Sequence, residues 1–143
     1  MITEEFIVNK YLGIPFKHRG RNFSGLDCYG LVIKIYEDLG YKIFDLESYD
    51  EALLKSDANY FIDNYHKEWV RIEKPKIFDV VLFRNNSCSI VTHCGVVLKE
   101  DKFIHCSRKT KGVIVSRLFS NAWVKATEGF YTLRALRRLK ARQ

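Results

Sequence analysis

Proline is nearly missing from this chain, at 2 of 143 residues, and glycine stands at only 8. So sparse a supply excludes a collagen-like or low-complexity tract. No apolar run approaches the roughly 18 residues that suggest a membrane-spanning helix. The opening residues, Met1-Ile2-Thr3-Glu4-Glu5, are acidic. They lack the basic start and apolar stretch of a signal peptide, so synthesis in the cytoplasm without general export is the expectation. The four cysteines, Cys28, Cys88, Cys94 and Cys106, form no C-x-x-C pair. Without an export signal a disulfide framework is not expected, and each thiol is judged alone. No glycine pattern of the phosphate-cradling kind occurs, nor any internal repeat.

What is present is a core. Hydrophobic residues make up 47% of the chain, with ten Phe and eight Tyr, which argues against disorder. The length fits one domain over residues 1–143, able to bury roughly two thirds of its unfolded surface. Charge is uneven. Residues 1–68 carry 8 Lys/Arg against 12 Asp/Glu, and residues 69–143 carry 16 against 5, so the second half is net +11. A basic half suits an anionic partner such as a cell-wall polymer, nucleic acid or an acidic protein, and equally suits a solvated surface. The basic run Arg134-Arg137-Arg138-Lys140-Arg142 could touch phosphates. No recognition helix accompanies it, so nucleic acid is not the expected partner.

The apolar pattern divides the chain. Residues 3–12 read as a short helix. Residues 17–25 read as a polar loop. A stronger helix follows, with Ser24 and Asp27 in the S-x-x-D spacing of a capping box. Cys28, Val32, Ile35, Tyr36 and Leu39 then recur at helical spacing, and Gly40 stops the helix. Residues 41–57 look irregular and acidic, and residues 58–68 read as a second short helix. After Pro75 the period becomes that of strands, at residues 80–83, 90–91, 96–98, 103–104, 113–115 and 130–133. Helices first and antiparallel strands after define an α+β fold. The last eight or so residues read as a basic tail.

Cys28 falls in the first turn of the stronger helix. Unsatisfied N–H groups and the helix dipole there favour a thiolate, the reactive form of cysteine. A cysteine on an apolar helix side also reads as a small core residue. A thiolate nucleophile needs a base and a group that orients the base. Of the four histidines, His66 lies in a polar segment and His18 in the loop before the helix. His93 and His105 lie in consecutive strands, twelve residues apart. A two-residue turn at Glu100-Asp101 would put these two on opposite faces of the sheet. Acting together therefore requires an odd-length connection or a β-bulge. The His93-Cys94 and His105-Cys106 dipeptides point their members to opposite faces, so neither chelates a metal easily. No metal or organic cofactor is expected. Cys94 and Cys106 read as packing residues on the other face.

These residues resemble a known family. Residues 11–16 (Y-L-G-I-P-F) and 24–32 (S-G-L-D-C-Y-G-L-V) resemble the nucleophile region of the NlpC family of papain-like cysteine peptidases, G-x-P-Y followed by G-x-D-C-S-G-L-V. Residues 79–83 (D-V-V-L-F), 93–98 (H-C-G-V-V-L) and 103–107 (F-I-H-C-S) resemble its later strands, and the resemblance runs over roughly residues 5–137. Cysteine precedes histidine, unlike the circularly permuted relatives. The resemblance implies hydrolysis of bacterial cell-wall stem peptides, with Cys28 as nucleophile, His93 as base and His105 orienting it. It implies Asp27 in the subsite for the substrate's amino-terminal side, with Phe16, His18 and Tyr29 nearby. Phe16 stands where the family often has Tyr, and Tyr29 where it commonly has Ser. Tyr29 and the short length look like phage members, which implies phage tail proteins as partners. Delivery to the wall would then come from a phage particle, a secretion system or lysis. The competing expectations are a non-catalytic tail or wall-binding module on the same fold, or an amide hydrolase or acyltransferase with another substrate.

Overall fold

The computed structural model describes residues 1–45, 67–84 and 91–136. Helix α1 (Glu4–Tyr11) is capped by Thr3, whose side chain accepts from the Phe6 N–H. A two-residue ribbon follows, β1 (Arg21–Asn22) with β2 (Gly25–Leu26), and then α2 (Cys28–Asp38). The remaining strands are β3 (Trp69–Ile72), β4 (Val80–Arg84), β5 (Val91–Val97), β6 (Lys102–Ser107), β7 (Gly112–Arg117) and β8 (Thr127–Leu133). Helix α3 (Asn121–Ala126) lies between the last two. Strands β3 to β8 form one antiparallel sheet in the order β3-β8-β4-β5-β6-β7. Helices leading into an antiparallel sheet make this the expected α+β class.

Strand alternation sorts the core into two clusters. On one face Val80, Leu82, Cys94, Val96, Ile104 and Cys106 pack against the buried sides of α1 and α2. On the other, Val81, Phe83, Val97 and Phe103 pack with Leu118 and with Trp123 of α3. The two helices are clamped together by Tyr11, whose hydroxyl donates to Asp38 Oδ2 at 2.6 Å, while Lys10 pairs with Asp38 Oδ1 at 2.7 Å. Residues 13–16 attach along the edge of β7: the Gly13 N–H bonds Val113 O, the Val113 N–H bonds Ile14 O, and the Phe16 N–H bonds Lys111 O. The Leu26 N–H then bonds Pro15 O at 3.0 Å, so the residue leading into α2 hangs from the sheet edge.

Several local expectations need correction. The N-cap of α2 is Asp27, whose carboxylate accepts the Gly30 N–H; Ser24 instead bonds back to Asn22 and closes its own turn. The short runs expected at 90–91 and 96–98 meet in one strand, β5, over residues 91–97, with residue 90 outside the described residues. The loop at 17–25 contains the β1–β2 ribbon, and neither β3 nor α3 was anticipated. The helix expected over 58–68 lies outside the described residues except for 67–68, and so do residues 137–143 of the basic tail. Cys88 and His66 are likewise outside them. No helix among the described residues is long and apolar enough to cross a membrane.

Candidate active site

The connection between β5 and β6 decides whether two histidines can meet. Residues 99–101 form a three-residue turn, closed by the Leu98 N–H on Lys102 O at 2.7 Å, with Glu100 and Asp101 both at φ 58°. The odd length sets Gly95 opposite His105, so His93 and His105 share a face. Gly95 is required there: a Cβ would lie 2.9 Å from Phe103 Cδ2 and 3.2 Å from His105 Cβ. Pairing of β5 with β6 covers Val97, Val96 and Gly95, whereas β6 stays paired with β7 as far as Ser107↔Gly112. His93 thus lies beyond the paired part of β5–β6, next to a β4–β5 irregularity at Phe83/Arg84.

The imidazoles make a chain. His93 Nε2 lies 2.8 Å from His105 Nδ1, and His105 Nε2 lies 2.8 Å from Ser116 Oγ. Aromatic rings hold both. His105 stacks on Phe103 with centroids 4.3 Å apart, and His93 on Phe83 at 5.8 Å. Trp123 presents its ring to His105 edge-on at 5.0 Å. One proton arrangement makes His93 a base. It donates from Nε2–H to His105 Nδ1, His105 donates from Nε2–H to Ser116, and the lone pair of His93 remains on Nδ1. Ser116 was not anticipated. The only signal for it is its register opposite Phe103, which places a hydroxyl on the face of the histidines.

Burial lowers both imidazoles from 6.5, His93 to about 3 with the nearby His105 contributing, and His105 to about 4. In the unfolded chain both would protonate near their ordinary value. Below that value the unfolded chain binds more protons than the folded one, so stability falls with falling pH until the folded-state values are reached. Lowering the pH from about 7 to about 5 should cost about 2–4 kcal/mol of unfolding free energy. Urea midpoints across this window check it, and a His93→Gln/His105→Gln variant should show a flatter profile.

Cys28 is the first residue of α2 and is 9% exposed, on the helix-bearing face. Its thiol neighbour is Cys106, which donates to Leu26 O at 3.2 Å. Burial first, then Cys28 and Asp27, push the Cys106 thiol up to about 12, so it stays protonated and inert. Cys94 and Cys106 are both buried on the face opposite the histidines, as alternation implied. The structure therefore brings His93 and His105 together, while no hydrogen bond joins Cys28 to either imidazole among the described residues.

The other site candidates are spread around α2. Asp27 is almost wholly buried as the helix cap and pairs with Arg21. Tyr29 is buried in the helix-side core, and its hydroxyl donates to Phe44 O, so its ring is a packing element. Phe16 is half-buried beneath the Arg108 guanidinium, 5.3 Å from its ring centre. His18 sits half-exposed in the turn before β1. A cavity of about 480 Å³ adjoins His93, walled by Phe83 and Trp123 and flanked by Arg84, Arg108 and Lys109. Among the described residues no group of three or more His, Cys, Asp or Glu side chains is placed to hold a metal.

A cysteine on a helix N-terminus, ahead of a histidine borne on an antiparallel sheet, defines the papain-like α+β class. The profile described as the NlpC/P60 family matches residues 13–132, and the chain belongs to that family. A protein of Haemophilus influenzae (strain ATCC 51907 / DSM 11121 / KW20 / Rd) named a probable endopeptidase is 29% identical over 126 residues, covering 88% of this chain and 69% of its own. The crystal structure of an NlpC/P60 family protein from Bacillus cereus ATCC 10987 superposes with a TM-score of 0.67 at 20% identity, over 90% of this chain but 39% of that one. The NlpC/p60 domain of the peptidoglycan hydrolase SagA superposes with a TM-score of 0.57 at 18% identity, over 88% of this chain and 92% of the domain. At these identities the two structures speak for the fold.

Proposed function

We propose that this protein is a cysteine peptidase that hydrolyses peptide bonds in bacterial cell-wall stem peptides through an acyl-enzyme on Cys28. The observation that carries the reading is the His93–His105–Ser116 chain, with both links at 2.8 Å. Membership of the NlpC/P60 family and a relative named a probable endopeptidase support peptidase chemistry. A likeness in fold to the NlpC/p60 domain of a peptidoglycan hydrolase supports the wall as the source of substrate. The Cys28 thiolate attacks the carbonyl carbon, and the Cys28 backbone N–H at the helix start donates to the developing oxyanion. His93 Nδ1 takes the Cys28 proton as the thiolate forms and delivers it to the departing amine, then takes a proton from the water that releases the acyl group and returns it to the Cys28 sulfur. His105 holds His93 in the required tautomer. Among the described residues lining the cavity beside His93, three are cations and none is an acid, which suits a peptide bearing carboxylates.

The test is mass spectrometry of cell-wall muropeptides digested with the protein. New fragments split within the stem peptide are expected, and none with Cys28→Ala. Intact muropeptides with both proteins reject the reading. A second reading, a non-catalytic wall- or phage-tail-binding module, is favoured by the lack of a hydrogen bond between Cys28 and either imidazole. It requires wall binding by both proteins and cleavage by neither.

A further inference from the structure

The carboxylate of Asp27 is next in sequence to the Cys28 thiol, and it is not left as a lone charge. Its Oδ1 accepts the Gly30 N–H at 2.7 Å and lies 2.7 Å from Arg21 Nη1. The rest of the guanidinium is committed as well. Arg21 Nη1 donates to Gly20 O at 2.9 Å, while Nε and Nη2 grip Asp45 Oδ2 and Oδ1 at 3.0 and 3.1 Å. The side chains of Arg21 and Asp27 are 20% and 7% exposed, so solvent screens their attraction poorly. Even the helix makes way for the pair. A Cβ on Gly30 would lie 2.2 Å from Gly20 O and 2.9 Å from Arg21 Nη1.

A helix N-terminus favours a thiolate at its first residue, but an adjacent buried carboxylate opposes one. The two effects compete unless a cation cancels the carboxylate. Among the described residues Arg21 is a cation bonded to that carboxylate. Helix α2 has no acidic side chain in its first turn, and Asp27 is its cap. Across from it β6 contributes the neutral Cys106, and β5 and β6 the His93–His105 pair, kept neutral by burial. The ribbon contributes Arg21, and residues 41–45 contribute Asp45, which also lies 3.8 Å from Arg19 Nη1.

We propose that Arg21 is an electrostatic positioning residue for Cys28: it cancels the charge of the capping carboxylate, so that Asp27 anchors the helix start without penalising the thiolate beside it. This deepens the reading of Cys28 as the reacting group, but it is testable without any peptide substrate.

The measurement is the rate of Cys28 alkylation by iodoacetamide against pH, on the full chain, with modification of each cysteine followed by peptide mass spectrometry. Arg21→Gln should move the Cys28 midpoint up by about one pH unit. Adding Asp27→Asn to that variant removes the second charge and should return the midpoint to near the wild-type value. Asp27→Asn alone leaves Arg21 unopposed by the cap and should move the midpoint down, which keeps the proposal testable if Arg21→Gln does not fold. A midpoint unmoved by Arg21→Gln, or moved equally in the single and double variants, overturns the proposal, since a merely structural role would not reverse with charge. A muropeptide digest that fails with wild-type protein rejects the peptidase reading and leaves the alkylation result standing.

Discussion

His93→Ala should lower kcat/KM on a stem-peptide substrate by about a thousandfold or more, with KM little changed. On the mechanism proposed, its imidazole moves the proton in both halves of the reaction, and no other described side chain is placed to replace it. The effect should weaken along the chain of hydrogen bonds. His105→Ala removes the acceptor 2.8 Å from His93 Nε2 and frees the ring to turn, so a loss of about a hundredfold is expected. His105→Gln keeps an amide oxygen able to accept the same proton, and should recover most of that loss. Ser116→Ala removes only the partner of His105 Nε2, for a loss of about tenfold or less, about 1.4 kcal/mol at most. Steady-state kinetics on one defined peptide orders the four variants. A flat series, with His105→Ala equal to wild type, would show that the histidine chain does not orient the base.

Phe103→Ala should cost about 3–5 kcal/mol of unfolding free energy, among the largest losses available to a single core change. Phe103 is wholly buried and lies against Phe83 at 5.0 Å, Trp123 at 5.2 Å and His105 at 4.3 Å. Truncation opens a cavity under the His105 imidazole, which on the mechanism proposed orients His93. Two readouts are therefore expected to move, the urea midpoint and kcat per folded molecule. Phe103→Leu retains most of the volume and should cost about 1.5 kcal/mol or less. Because Leu still fills the space beneath His105, kcat should stay near wild type. If kcat per folded molecule is unchanged in Phe103→Ala, the ring supports the fold and not the histidine.

Much of the scaffold is legible from local pattern. The 3.6-residue period over 28–39 locates α2, and β-branched runs locate β4 to β8, because one face of each element must leave water. Helix α3 is six residues long, too short for its period to register, and its place is set by Trp123 packing under the sheet. The two-residue ribbon strands have no period at all. The misplaced cap has a specific cause. Ser24 and Asp27 both suit a helix start, but Asn22 takes up the Ser24 N–H and hydroxyl, leaving Asp27 to meet the Gly30 N–H.

The site divides along the same line. Cys28 at a helix start and two strand-borne histidines are readable in sequence, because their elements are local. Whether the histidines share a face was undecided until the turn between β5 and β6 was known to hold three residues. Ser116, Trp123 and the Arg21–Asp27–Asp45 network come from segments that sequence does not connect. The scarcity of proline and glycine, the uneven charge and the order of cysteine before histidine are properties of the chain, set before folding. The partners of each imidazole and the neutralised charge beside Cys28 depend on register and close packing. Those arise only when distant segments exclude water together, so only the tertiary structure decides them.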